Sequence, residues 1–233
     1  MNIEFVSVFP EILNDETVLP KPSNRYIPDW YKKTPLMVGE SEISGKRTVK
    51  ACPAISDLFG AGFVIPAWSD IAIHYENDTP LAKIGQRQEQ MHIHSNDQFL
   101  NYVEHNHLGK QGKFVFKLLN PWHIITPKGW SVLQLPLLYE FDKNFSVMGG
   151  IIDTDNWHQA NLQLMYYGTK EVVIPKGTPL VQYIPFKREK HNLIIREMSD
   201  KDKKRFLHLE YKIQSRFSRG YVQLRKSNAK DLI

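Results

Sequence analysis

Two acidic residues are the first candidates for chemistry in this 233-residue chain. Asp153 and Asp155 follow the apolar Ile151-Ile152 pair, and a single residue separates them. If the strand continues through them, both carboxylates point to the same face. Two such carboxylates could activate a water molecule, or hold Mg²⁺ together with the phosphates of a substrate. An Asx-type turn that caps the strand would explain the same residues, so the pattern leaves both interpretations open.

Two His-x-His pairs are the candidates for a metal centre. The pairs are His92 with His94 and His105 with His107. Alternate residues of a strand share a face, so each pair could offer two imidazoles to one Fe or Zn ion. The alternative is a polar, solvent-facing insertion over residues 86–112. Short motifs of this kind often match by chance, so the insertion is the favoured interpretation.

The residues around the two acids could complete a ligand site. Gly150 has no Cβ, which lets a ligand approach the backbone closely. Trp130 and Trp157 stand near the flanking strand ends and could stack on a flat ring. Lys128 and Lys176 occupy nearby turns and could contact phosphate. Core packing of both tryptophans is the alternative.

Short extended elements must position these side chains. Over residues 113–186, apolar runs rich in β-branched and aromatic residues recur between turn signals such as Asn120-Pro121 and Gly149-Gly150. This spacing is typical of an all-β sandwich or barrel. The strand alternation predicts a single core between β layers. Its predicted members are Phe116, Leu133, Ile152, Leu164, Val173 and Ile184.

The two ends of the chain differ from this pattern. The proline-rich start predicts one short strand and then an extended arm, which Trp30 and Tyr31 anchor to the body. Near the other end, residues 199–214 have a Ser N-cap, an acidic first turn and apolar residues at helical spacing. We therefore predict an amphipathic helix whose apolar face, Phe206, Leu209 and Ile213, packs on the β body.

Charge is distributed unevenly, and it marks the proposed division of the chain. From Lys187 to the end there are 14 basic and 6 acidic residues, so +8, whereas residues 1–186 carry 16 and 19, so −3. A solvated basic face explains this better than nucleic-acid binding, because interleaved glycines and aromatics are absent there. We expect a single domain with an arm over 1–47, a β-rich core over 48–190 and a basic helix and tail over 191–233.

Composition excludes several classes of protein. The apolar content of 42% is that of a globular chain, and no apolar run reaches the roughly 20 residues of a membrane helix. One cysteine, Cys52, excludes an intrachain disulfide and a Cys-based zinc cage. The N-terminus has no secretory signal pattern, so we expect a cytoplasmic protein.

Two motifs connect residues 145–187 to a known superfamily. One is a Gly-x-Ile-Asp turn and the other a strand that begins with Gly-x-x and ends in Gln. Gly150, Asp153, Gly177 and Gln182 fall on these positions, and the stretch resembles the core of the dUTPase/dCTP-deaminase superfamily. The resemblance implies a β-clip or jelly-roll-like fold. It also implies that Asp153 is the water-activating base, that Gln182 belongs to the ligand site, and that sites lie between the subunits of a homotrimer.

A broader resemblance covers most of the chain. The order of PDWYKKTP, KACPAISDLFGAGFVIP, NPWHIITPKGWSVL, GGIIDTDNW and KGTPLVQYIPFKRE resembles a family of uncharacterised proteins from bacteria and tailed phages. That resemblance implies a phage origin, which would place the protein in the host cytoplasm or in the virion.

Three functions remain open on the sequence. The first is a phage-encoded protein that binds a host or virion partner; the partner is a protein or small ligand rather than nucleic acid or a membrane. The second is a divergent dUTPase-like enzyme that uses Asp153 and Asp155 with Mg²⁺. The third is an Fe or Zn enzyme that uses the His-x-His pairs. A triphosphate needs several cationic or backbone donors, and the Arg-Ser turn that supplies them in active dUTPases is missing, so we favour the first.

Overall fold

The protein was analysed as a computed structural model, which describes residues 2–39, 45–76, 79–85, 91–102, 112–140 and 143–214. Short strands dominate the fold, at nearly every apolar run between residues 113 and 186. The predicted mainly β fold is therefore confirmed. The described strands form open antiparallel sheets in a sandwich-like arrangement rather than a closed barrel.

The elements are numbered here in chain order. The strands are β1 (Glu4–Ser7), β2 (Lys21–Pro22), β3 (Met37–Val38), β4 (Lys46–Arg47), β5 (Phe63–Pro66), β6 (Ile71–Glu76), β7 (Thr79–Ile84), β8 (Met91–His94), β9 (Phe114–Leu118), β10 (Trp122–Ile125), β11 (Trp130–Pro136), β12 (Phe145–Val147), β13 (Gly150–Ile152), β14 (Leu162–Tyr166), β15 (Val172–Ile174) and β16 (Pro179–Lys187). The α-helices are α1 (Asp29–Lys33), α2 (Pro53–Gly60) and α3 (Asp200–Gln214). Short 3-10 turns connect several of them.

The chain divides into two compact units. One consists of Met1–Lys32 and Phe59–Arg188, and the other of Lys33–Leu58 and Glu189–Ile233. The three-part division made from the sequence stays a prediction.

The first unit is built on two antiparallel sheets. One has the strand order β13-β11-β16-β5-β2 and the other the order β12-β14-β9-β8. A third, smaller sheet has the order β15-β6-β7, and β1 pairs with β10. Side chains from the two larger sheets, such as Val132, Tyr183, Phe116 and Leu164, belong to one continuous buried cluster.

The strand that carries Pro185 explains how a proline fits inside a sheet. Proline donates no hydrogen bond, so the sequence placed this strand at an edge or a bend. In the structure β16 lies between β11 and β5, but its pairing with β5 ends at Tyr183. Pro185 therefore lies in the part of β16 that has a neighbour on one side only, opposite Val132.

The predicted core is partly correct. Phe116 and Leu164 are fully buried. Leu133, Ile152 and Ile184 are half-buried. Val173 was placed wrongly, because its side chain is 55% exposed. In β15 the side chain that points into the core is Ile174 and not Val173. The alternation of buried and exposed residues is therefore displaced by one residue from the predicted alternation.

The anchoring of the N-terminal arm by Trp30 and Tyr31 is observed, but the predicted extended conformation is wrong, because 3-10 turns at Pro10–Asn14 and Ser23–Tyr26 and helix α1 interrupt it. Tyr31 is buried, and its ring packs edge-on against Phe59 at 4.7 Å between centroids. The Trp30 indole donates a hydrogen bond to the carbonyl of Tyr139 at 2.9 Å. Both contacts lie within the first unit, so this part of the arm is fixed by aromatic packing and one directional bond.

The second unit contains the β3–β4 hairpin and helix α3. The predicted helix is confirmed, with a reciprocal cap in which Ser199 and Asp202 bond each other's side chain and backbone. The predicted packing of its apolar face is wrong at Phe206, which is 48% exposed. Leu209 is half-buried, and the side chain of Ile213 lies outside the described residues.

One pair of substitutions tests the observed phase of the core. Leu164→Ala removes a fully buried side chain, so we expect the free energy of unfolding to fall by about 2–5 kcal/mol. Val173→Ala removes an exposed one, and we expect a change within about 0.5 kcal/mol. Urea unfolding monitored by tryptophan fluorescence measures both values. Similar losses in the two variants would contradict the phase of β15.

Candidate functional site

The pairing of three strands brings the predicted acidic site together. In the antiparallel β11–β13 pair Val132 lies opposite Ile152, which places Ser131 beside the residue that follows β13. In the β11–β16 pair Trp130 lies opposite Lys187, which places the next residue, Arg188, beside Gly129. Residues 129–131, 153–155 and 188 therefore meet at one end of the sheet.

Arg188 is the centre of this cluster. Its two terminal nitrogens bond the two carboxylate oxygens of Asp155, at 2.8 Å to Oδ1 and 2.5 Å to Oδ2. Nη1 also lies 3.0 Å from Oδ1 of Asp153 and donates to Oγ of Ser131 at 2.8 Å. The Arg188 backbone N–H donates to the Gly129 carbonyl at 2.8 Å. A bidentate pair of this kind fixes the direction of the guanidinium as well as its position.

Asp155 is held inside the fold. Its side chain is only 4% exposed. Besides the pair with Arg188, its Oδ2 accepts the backbone N–H of Gly129 at 2.7 Å. These bonds favour the charged carboxylate and lower the pKa of Asp155 to about 2, with the Arg188 bonds as the largest cause.

Gly129 is required by the geometry of the turn before β11. Its φ is +83°, in the left-handed region that favours glycine. This conformation closes a turn in which Trp130 N–H donates to the Pro127 carbonyl at 3.1 Å. The turn directs the Gly129 N–H at Asp155, while Lys128 remains exposed.

Asp153 is held less completely than Asp155. Its side chain is 54% exposed, and its Oδ1 accepts the Ser131 hydroxyl at 2.6 Å. Its carbonyl accepts the backbone N–H groups of Asn156 at 2.9 Å and Trp157 at 2.8 Å. The side chain is thus part of the Arg188 cluster, while the backbone forms the turn over residues 153–157.

The hydroxyl groups of Thr126 and Thr154 form a buried contact next to this turn. The side-chain oxygens of Thr126 and Thr154 lie 2.7 Å apart, and both residues are buried. His158 Nδ1 lies 2.7 Å from the Thr154 carbonyl. The path of the chain through Asp153, Thr154 and Asp155 is therefore determined from both sides.

Two large apolar side chains, one on β13 and one on the turn after it, are exposed to solvent. Trp157 and Ile151 are each 64% exposed. Beside them, open space surrounds the position that a Cβ on Gly150 would take, so the fold itself does not require a glycine there. We give the name Trp157 face to four exposed residues of β13 and of the turn that follows it, namely Gly150, Ile151, Asp153 and Trp157.

Two of the predicted ligand residues have structural partners elsewhere. Lys176 pairs with the carboxylate of Asp15, and its backbone N–H donates to Asp70 at 2.7 Å. The buried amide of Gln182 donates to the Ala61 carbonyl at 2.7 Å. Trp130, by contrast, lies in the Arg188 cluster, because its carbonyl accepts a hydrogen bond from Arg188 Nη1 at 3.4 Å. The same carbonyl accepts the Thr126 hydroxyl at 3.2 Å.

The histidine pairs have different outcomes. His105 and His107 lie outside the described residues. On β8 His92 is exposed, whereas His94 has Nδ1 3.2 Å from Oε1 of Gln98 and a buried Nε2. The pair therefore does not present two exposed ring nitrogens. Among the described residues no group of three or more His, Cys, Asp or Glu side chains could hold a metal ion.

Arg188 is the residue that the sequence analysis missed. The signal that could have found it is the register of β16 against β11, because an antiparallel pair that starts at Trp130 puts position 188 beside the Pro127–Gly129 turn. Strand register depends on long-range pairing, which the local pattern of apolar residues does not determine.

A comparison with protein-family models and with curated proteins found no match to this chain. The resemblances to dUTPases and to phage proteins therefore stay predictions. Within the described part of the chain, no helix is both long and apolar enough to cross a membrane.

The Arg188–Asp155 pair predicts a defined dependence of stability on pH. The pKa of Asp155 is about 2 in the folded chain and 3.8 in an unpaired state, so its contribution is complete above about pH 4. It is lost as the pH falls from 4 to 2. We expect Asp155→Asn to lower the melting temperature at pH 7 and to have a much smaller effect at pH 2, as measured by thermal unfolding.

Asp153→Asn is the matched control for this experiment. It removes a carboxylate from the same guanidinium, but a half-exposed one with a single engaged oxygen. We expect a smaller loss of melting temperature at pH 7. Equal losses in the two variants would contradict the assignment of Asp155 as the main partner of Arg188.

Proposed function

We propose that the protein acts by binding another protein through the Trp157 face, and that it has no catalytic role at the Asp153–Asp155 pair. If the predicted phage origin is correct, the partner is a host or virion protein. The observation that carries the proposal is the exposure of two apolar side chains, Ile151 on β13 and Trp157 on the turn that follows, next to acids that are held by bonds within the chain.

The exposure of Trp157 supports a binding role. Tryptophan is the residue type most enriched among the residues that dominate binding free energy, and it acts by filling a pocket of the partner. The Trp157 backbone is fixed by its bond to the Asp153 carbonyl. A fixed backbone reduces the conformational entropy that is lost when a partner binds.

The shape of the neighbouring strand edge also supports binding. β13 pairs with β11 on one side, and it is an edge strand of its sheet. Gly150 leaves open space next to Ile151. A partner backbone could therefore approach this edge closely while the Ile151 side chain contacts an apolar surface.

The bonds of Asp155 argue against a two-carboxylate mechanism. A catalytic base or a Mg²⁺ ligand needs an oxygen that can accept a proton or coordinate the ion. Both oxygens of Asp155 are occupied by Arg188, and one of them also accepts the Gly129 N–H. Asp153 alone keeps a solvent-facing carboxylate oxygen, so at most one acid of the predicted pair is free to act.

The experiment compares Trp157→Ala with a matched control, Tyr102→Ala, because Tyr102 is another exposed aromatic residue, 81% exposed against 64% for Trp157, at a different place in the fold. The purified full-length chain is immobilised and incubated with a bacterial lysate, and captured proteins are identified by mass spectrometry. The strongest candidate is then purified. We expect Trp157→Ala to weaken its binding by about 2 kcal/mol or more, roughly thirtyfold in Kd.

Tyr102→Ala should bind the purified candidate as the wild-type chain does. Equal binding by all three chains would contradict a role for the Trp157 face. A melting-temperature increase of several degrees with dUTP or dCTP and Mg²⁺, abolished by Asp153→Asn, would favour the enzyme instead.

A further inference from the structure

Residues 189–198 form an exposed apolar segment between β16 and helix α3. Every residue from Lys187 to Lys201 is exposed. Leu193, Ile194 and Ile195 are consecutive and are 88%, 78% and 87% exposed. Isolated exposed apolar residues are common, but an uninterrupted exposed triplet marks a surface that a partner covers.

The backbone around this apolar triplet has no regular structure. Within the part of the chain that the structure describes, residues 190–195 make no hydrogen bonds and belong to no helix or strand. Two of the three apolar residues are β-branched, which favours an extended strand. The segment therefore has the composition of a β-strand that lacks a neighbour.

The first unit contains an edge strand with the complementary property. β15 pairs with β6, and in the described part of the chain its other edge has no strand beside it. Val173 is the residue of β15 whose side chain is exposed. An edge strand with an exposed β-branched residue is a template for pairing with another strand.

We propose that residues 193–195 of one copy of this chain add as an antiparallel strand to the β15 edge of a second copy. This inference does not rest on the proposed function, because the residues involved are different from those of the Trp157 face. The length fits the exchange. The 12 residues 188–199 span roughly 40 Å when extended, which lets the segment leave its own chain and reach another.

Charge complementarity favours a second copy over an unrelated partner. Residues 1–186 carry a net charge of −3, and the remainder of the chain carries +8. Residues 189–198 are themselves neutral, with Lys190 and Arg196 against Glu189 and Glu197. Residues 199–233, which follow them, carry +6, and this charge is attracted to the acidic body of the next copy, whereas two identical bodies repel each other weakly. Each copy has both a donor segment and an acceptor edge, so the exchange closes as a reciprocal pair or as a ring.

One register satisfies the flanking charges as well. If Ile194 lies opposite Val173 and the pairing continues past the start of β15, the antiparallel direction brings Glu197 opposite Lys170 and Arg196 opposite Glu171. Arg196 already pairs with Asp202 of its own chain, so the Glu197–Lys170 pair is the one that selects the register. Lys170, Glu171 and Glu197 are all exposed. Opposite charges placed across from each other stabilise a strand pair, and like charges destabilise it. A register displaced by one residue would place Glu197 opposite Glu171.

The primary experiment is sedimentation velocity of the full-length chain at about 1–100 µM, which detects association with a micromolar dissociation constant. We expect a homo-oligomer. Ile194→Asp and Val173→Asp should each raise the dissociation constant at least tenfold. Ile194 lies in a segment without secondary structure, so its substitution tests the contact even if Val173→Asp lowers stability.

Val6→Asp is the matched control, because Val6 is an exposed valine on another edge strand, β1. It should leave the oligomer unchanged, and dissociation by Val6→Asp would overturn the proposal. A wild-type chain that is monomeric at the highest concentration would also overturn the proposal. Binding of that monomer to vesicles of anionic lipid would then indicate that the exposed segment contacts a membrane surface instead. If Ile194→Asp and Val173→Asp both leave the oligomer intact, the proposal is overturned as well.

A charge-reversal cycle tests the register. Lys170→Glu and Glu197→Lys should each weaken association, and the double variant should recover most of the loss. Failure of the double variant to recover would overturn the register. Trp157→Ala should leave association unchanged, so loss of the proposed partner and loss of self-association are separate results.

Discussion

The fold at the candidate site depends on the Arg188 guanidinium, which has two carboxylates within bonding distance. The Asp155 side chain is 4% exposed, so an unpaired charge there would be unfavourable. The bidentate bond to Arg188 removes that penalty, and it joins three stretches of chain that are distant in sequence: the end of β16, the turn before β11 and the turn after β13. At this end of the sheet, the side chains that the Arg188–Asp155 pair does not cover are exposed. They are Ile151, one side of Asp153, and Trp157.

The same requirement governs the interior of the sheet. Gln134, on β11, is buried and donates to the Met148 carbonyl at 2.8 Å, and it accepts the Tyr183 hydroxyl at 2.9 Å. Burial raises the pKa of Tyr183, so the hydroxyl stays protonated and remains a donor. Satisfied polar groups of this kind fix one register of β11 against β16, because a shift of one residue would leave them unpaired. That register in turn places Arg188 beside Gly129.

The sequence predicted the elements better than their faces. Strands β9 to β16 coincide with apolar runs between turn signals, and helix α3 follows from its Ser199 cap. The buried phase could not be predicted in the same way. Gln134 is inside and Leu133 only half-buried, because hydrogen bonds to distant residues compensate the burial of the amide. The same is true of the site. The local sequence pattern was sufficient to indicate Asp153 and Asp155, whereas the position of Arg188 beside them depends on the register of β16 against β11.

Trp157 shows how the packing requirements and the proposed binding role can be separated. Its backbone N–H completes the turn through the Asp153 carbonyl, and any residue could donate that bond. The core beneath is closed by other side chains, such as Trp122 and Ile124, which are fully buried. Nothing in the turn geometry therefore requires an indole at position 157. A large apolar side chain that folding leaves in water favours association with whatever surface can cover it. An indole held on a rigid turn, beside a glycine with open space around it, has the properties of a binding residue rather than of a packing residue.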